Sequence, residues 1–110
     1  MDYRKSSAPI NTVTRDMIAL SENTENVYET VKIIAKRANQ ISVEMKRDLE
    51  KKLAEFASTN DNLEEVFENR EQIEISLYYE KLPKTTLIAT QEYVEGEIYY
   101  KNLAKEKENL

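Results

Sequence analysis

The chain of 110 residues contains no histidine, no cysteine and no tryptophan. Without imidazole or thiol groups there is no histidine general base, no thiolate nucleophile, no disulfide, no zinc finger and no usual haem ligand. Its only glycine, Gly96, excludes a phosphate-cradling glycine loop and a dinucleotide fingerprint, which both need several close-approach positions. The first residues, MDYRKSSAPINTV, lack the apolar centre of a secretory signal. No run approaches the roughly 18 apolar residues of a membrane span. The expectation is a cytoplasmic protein with no membrane contact, no metal, no cofactor and no catalytic residue of its own.

What the chain does hold is charge. Charged residues make up 34% of it, with a net charge of −5. Leu, Ile, Val and Phe still supply 26 of the 110 residues, above the roughly one-fifth below which a charged chain is expected to stay disordered. That supports a single small domain with a thin core. The charge is blocked: residues 32–52 carry seven bases against three acids, and residues 61–82 carry seven acids against Arg70 and Lys81. The chain is a charge dipole.

Hydrophobic periodicity predicts a mainly α fold. Residues 1–13, polar and carrying Pro9, have neither helical nor strand period and read as an extended N-terminal arm. Thr14 offers a cap, with Asp16 in the first turn, for a short helix over 15–21 bearing Met17, Ile18 and Leu20. After the turn 21–26, Asn26 is a good N-cap. From there Val27, Val31, Ile34, Ala35, Ala38, Ile41, Met45, Leu49, Leu53 and Phe56 fall within one helical stripe roughly 120° wide. This predicts one long central helix over 27–57, uninterrupted by Gly or Pro. Asn60 or Asp61 can cap a second helix lined by Leu63, Val66, Phe67 and Ile73 or Leu77. The alternation Ile73-Glu74-Ile75-Ser76-Leu77 also suits a strand, but no pairing partner is evident, so helix is expected. Pro83 breaks the chain, Thr85 or Thr86 caps a third helix carrying Leu87, Ile88, Ala89, Tyr93 and Val94, and Gly96 stops it. Ile98, Tyr99 and Tyr100 suit an extended segment that docks, and the charged end, residues 101–110, is expected to fray.

Three constellations are candidates for function. Glu64, Glu65 and Glu68 place carboxylates one helical turn apart, a spacing able to face a magnesium ion, although a solvated helix face explains them more simply. Tyr78, Tyr79, Tyr99 and Tyr100, with Lys81, Lys84 and Lys101, suit core packing, a protein interface or stacking on single-stranded nucleic acid. The neighbouring Glu74, Glu80, Glu95 and Glu97 weaken the last of these, because phosphate attraction dominates nonspecific affinity. Ile33, Arg37, Gln40 and Glu44 form a second face on the long helix, away from the main stripe. Arg is a frequent interface anchor there, although a scattered exposed Ile and a solvated Arg are ordinary as well.

Two segments resemble a known family when taken together. RANQI, Arg37-Ala38-Asn39-Gln40-Ile41, and KTTLIATQEYVEGEIYY, Lys84 to Tyr100, are similar to the paired signature of the omega subunit of bacterial RNA polymerase, a signature shared by the archaeal and eukaryotic counterpart subunit. In that family an Arg-Ala-x-Gln-hydrophobic run ends a first helix, and a Lys-Thr/Pro-Thr-x-Ile-Ala run opens a later helix that closes in Glu-Gly. The resemblance covers residues 12–41 and 83–100. It divides the chain into an arm (1–13), an omega-like helical domain (14–100) with an inserted helical excursion (42–82), and a charged tail (101–110).

The resemblance implies a noncatalytic subunit of DNA-directed RNA polymerase that binds the largest subunit, beta prime, and promotes core enzyme assembly, with no sequence-specific DNA contact. It places the partner-binding residues at Arg37, Ala38, Asn39, Gln40, Ile41, Lys84, Thr85, Thr86, Ile88 and Ala89, and the chain in the cytoplasm, held at the nucleoid through the polymerase. In some family members the extreme N-terminus helps form a pocket for the alarmone ppGpp; this chain opens without the matching short basic run, offering only Arg4 and Lys5. The competing class is a free helical protein-binding module, such as an antitoxin or a transcription cofactor working through its acidic 61–82 segment.

Overall fold

The computed structural model describes the main chain of residues 2–59 and 65–102, and their side chains except those of 56–59 and 65–71. The described residues are mainly helical and include no strand. Four α-helices follow one another: α1 (Met17–Leu20), α2 (Val27–Thr59), α3 (Glu65–Glu80) and α4 (Thr85–Val94). A 3-10 turn at Tyr3–Lys5 precedes them inside the arm.

Local chemistry sets the helix ends. Asp16, not Thr14, caps α1: its Oδ1 accepts from the amides of Ile18 (3.1 Å) and Ala19 (3.3 Å), so the helix begins one residue after the acid that was expected inside its first turn. Asn26 caps α2 as expected, its Oδ1 accepting from the Tyr28 and Glu29 amides at 3.0 and 3.4 Å. The turn before it forces Glu25 to a positive φ of 59°, a conformation that disfavours a side chain. Thr85 and Thr86 do not cap α4. Lys84 stands at the cap without a side-chain bond, and the Thr85 hydroxyl is engaged by Ser42. At the far end Gly96, with φ 72°, donates to the Tyr93 carbonyl (3.1 Å), and Glu97 donates to Glu92 (2.9 Å). This is a Schellman closure, which favours glycine because the position is left-handed.

The segment 73–77 is helical, its apparent alternation overruled by continuity with the rest of α3. Its apolar members do not line up as expected: Ile73 and Leu77 are exposed, while Ile75 and Tyr79 are half-buried. Caps at Asn60 or Asp61 and the packing of Phe56, Leu63, Val66 and Phe67 lie outside the described residues, as does the tail from residue 103 onward.

The core forms where α2, α4 and the arm meet. Ala38 and Ile41 of α2, Leu87, Ile88 and Ala89 of α4, and Tyr3 and Ala8 of the arm make one buried cluster. Ile34, Met45, Tyr79 and Leu82 pack at its edge. The long stripe of α2 is therefore buried only in its middle. Val31 and Ala35 are exposed although they stand among Thr30, Ile34 and Ala38, because they lie at the edge of the stripe turned away from α4, and Val27 is exposed at the start of α2. Val94, expected on the apolar side of α4, is exposed where that helix ends.

Candidate functional site: a clasp between two signature segments

Helices α2 and α4 run antiparallel, as three side-chain pairs show. Ser42 Oγ donates to Thr85 Oγ1 (3.0 Å), Arg37 meets Glu92, and the Thr30 and Tyr93 hydroxyls approach to 3.4 Å. The two motif segments, far apart in sequence, thus lie against each other along the whole of α4.

The centre of this contact is a forked ion pair. Arg37 Nε donates to Glu92 Oε2 at 2.6 Å and Nη2 donates to Oε1 at 3.0 Å, while Nη1 reaches Gln40 Oε1 at 3.3 Å. The planar guanidinium matches the carboxylate with two parallel bonds, a geometry Lys does not reproduce. Only 2% of the Glu92 side chain and 20% of the Arg37 side chain remain exposed. The bond to Glu92 drives the Arg37 pKa above its usual value, against the opposing effect of burial. Glu92 was not singled out in sequence; the available signal was an acid four residues after Ile88, on the buried side of α4.

Two further fastenings hold the clasp. The Tyr3 hydroxyl donates to Asp48 Oδ2 at 2.6 Å, and Arg4 Nη2 reaches the same oxygen at 2.9 Å. Burial, then the bonds to Asp48 and Tyr79, push the Tyr3 phenol above its usual range. Hydrogen bonding with Tyr79 is the main cause of the raised pKa of Arg4. Ser7 Oγ then donates to Glu95 Oε1 (3.0 Å), so the arm extends from the middle of α2 to the end of α4. At the other end Thr24 and Thr30, both buried, share a 2.7 Å hydroxyl bond, tying the 21–26 turn to α2.

The sequence-designated partner residues divide by location. Ala38, Ile41, Ile88 and Ala89 are buried, the last three with no exposed surface, and work as the packing beneath the clasp. Arg37 is half-buried and committed to Glu92, and Thr85 is half-buried beside Ser42. Asn39, Gln40, Lys84 and Thr86 are exposed. The four tyrosines do not converge: Tyr78 and Tyr79 meet edge to face (5.3 Å) beside Arg4 and Lys52, whereas Tyr99 and Tyr100 border a separate cleft along α2 with Ile33, Arg37 and Gln40. Glu64 lies outside the described residues, as do the side chains of Glu65 and Glu68. Among the described residues no group of three or more acids could hold a metal ion, and no helix is long and apolar enough to cross a membrane.

What this geometry defines is a helical scaffold in which a buried ion pair locks two distant segments together and leaves polar groups at the rim. The family described as RNA polymerase Rpb6 matches residues 19–73, half of the chain, and the chain belongs to this family, the omega/Rpb6 group of RNA polymerase subunits. The match takes in Arg37–Ile41 and runs on through much of the 42–82 stretch; Lys84–Tyr100 lies beyond it. Neither the comparison with curated proteins nor that with solved structures finds a match.

Proposed function

We propose that this chain is a noncatalytic accessory subunit of DNA-directed RNA polymerase that binds the largest subunit, beta prime, and promotes assembly and stability of the core enzyme. Membership of the omega/Rpb6 family is the observation that carries this reading. The clasp supports it. A subunit that braces a larger one needs a stiff surface rather than a reactive centre, and the forked pair of Arg37 and Glu92 supplies that stiffness. In this reading Asn39, Gln40, Lys84 and Thr86 touch the partner, while Arg37, Ala38, Ile41, Thr85, Ile88 and Ala89 hold them in place. Binding only the folded partner would stabilise it by roughly 2.7 kcal/mol at a hundredfold excess over Kd. The chain would then reside in the cytoplasm, at the nucleoid with the polymerase. Affinity-tagging it in its native host tests the reading: stoichiometric recovery of core polymerase is expected, and recovery of the chain without polymerase would refute it.

A further inference from the structure

We infer that the cleft between α2 and residues 97–102 is a docking channel for an extended, acidic peptide segment of a partner protein, paired through its main chain to residues 98–101. The cleft encloses about 730 Å³. One wall is α2, with Ile33 half-buried between exposed Lys32 and Lys36; the other is the segment Glu97–Asn102. That segment is anchored at both ends. Glu97 donates its amide to Glu92, and Asn102 Nδ2 donates to Glu29 Oε1 at 3.1 Å. Between these anchors the main chain of 98–101 is in neither helix nor sheet and makes no hydrogen bond to another described residue.

Fixed backbone with free donors and acceptors, in a stretch rich in strand-favouring Ile and Tyr, is a template for strand addition. Ile98 is half-buried against the cleft, whereas Tyr99 is 85% exposed. Charge selects the occupant. Lys32, Lys36 and Lys101 border the cleft, and the charge of Arg37 is already balanced by Glu92, so Glu29 and Glu97 leave a net positive channel in a protein of net charge −5. Alternating apolar residues on the guest would rest on Ile33 and Ile98, and its carboxylates would meet the lysines. Single-stranded nucleic acid offers no main-chain amides to pair with residues 98–101, so it is the comparison that the test excludes.

The test uses the full chain and a capped peptide of alternating glutamate and valine, four of each, with a lysine-valine peptide, an alternately N-methylated glutamate peptide and oligo-dT as comparisons. The glutamate peptide is expected to slow amide exchange at residues 98–101 and to bind roughly tenfold more tightly than the lysine peptide, with the difference shrinking in high salt. Lys32→Glu with Lys36→Glu should abolish this binding, whereas Lys46→Glu with Lys51→Glu, also on α2, should not. Tyr99→Pro, at an exposed position, should abolish it with helicity unchanged. Absence of slowing by the glutamate peptide, equal binding of the lysine peptide, indifference to N-methylation, or protection by oligo-dT instead would each overturn the inference. Because the isolated chain is used, these outcomes are independent of whether it joins a polymerase.

Discussion

Replacing Arg37 by Met would leave the Glu92 carboxylate in a site where 2% of its side chain reaches solvent, with both forked bonds gone. Breaking a buried ion pair from one side costs about 3–5 kcal/mol, because the remaining charge is uncompensated. The residual exposure of Arg37, 20%, lets water approach that side, so the lower end, about 3 kcal/mol, is expected. For a domain near 100 residues each kcal/mol shifts Tm by roughly 4–8 °C, so Arg37→Met should melt roughly 12 °C or more below the parent. Adding Glu92→Leu removes the orphaned charge, and the double variant should return to within about 1 kcal/mol of the parent. Arg37→Met with Glu92→Gln, which keeps the shape but not the charge, should fall between them. Urea denaturation followed by far-ultraviolet circular dichroism reads all of this, with the parent, Arg37→Met, Glu92→Leu and Arg37→Met/Glu92→Leu forming a double-mutant cycle and Arg37→Met/Glu92→Gln measured beside them. A loss under about 1 kcal/mol for Arg37→Met, or simple additivity in the double variant, would refute the idea that this pair locks the two segments.

The arm gives a pH-dependent prediction. Burial and the Asp48 bond hold the Tyr3 phenol above the ordinary value of 10.0, so its contribution is complete below about pH 10 and is lost as pH rises beyond it, when the unfolded phenol ionises first. Tyr3→Phe should cost about 1.5 kcal/mol at neutral pH, with the deficit shrinking in alkaline urea titrations, and a deficit that grows above pH 10 would contradict this. Gly96→Ala meets no atom within 4 Å, so its penalty is that of the left-handed backbone alone, about 1 kcal/mol by thermal denaturation. Glu25→Asn, at φ 59°, should be neutral to stabilising by up to about 0.5 kcal/mol in the same assay.

The sequence disclosed what depends on neighbours along the chain. Asn26 could be read as a cap, the absence of Gly and Pro from 27–59 as one continuous helix, and Gly96 as the stop signal of α4, because each acts within a turn of itself. The extent of burial was not legible in the same way. Val27 and Val31 share a stripe with Ile41 but stay exposed, since burial is set by which side of the stripe α4 meets and not by the stripe itself. The bonds that make the clasp were the least visible: Arg37 and Glu92 are 55 residues apart, Tyr3 and Asp48 are 45 apart, and local pattern carries no trace of such pairings. Both signature segments were recognisable as strings, yet which of their residues face inward became clear only in three dimensions, where Ala38, Ile41, Ile88 and Ala89 prove to be interior.

The central claim, that the chain braces a larger assembly through a surface held rigid by its clasp, is tested most directly by reconstituting core polymerase from separately denatured subunits of the native host with and without this chain. Added parent chain should raise the yield of active core enzyme, Arg37→Met should fail to do so at a temperature where it is unfolded, and the Arg37→Met/Glu92→Leu protein should restore much of the gain. An equal yield of active enzyme whether or not the chain is present would contradict the account.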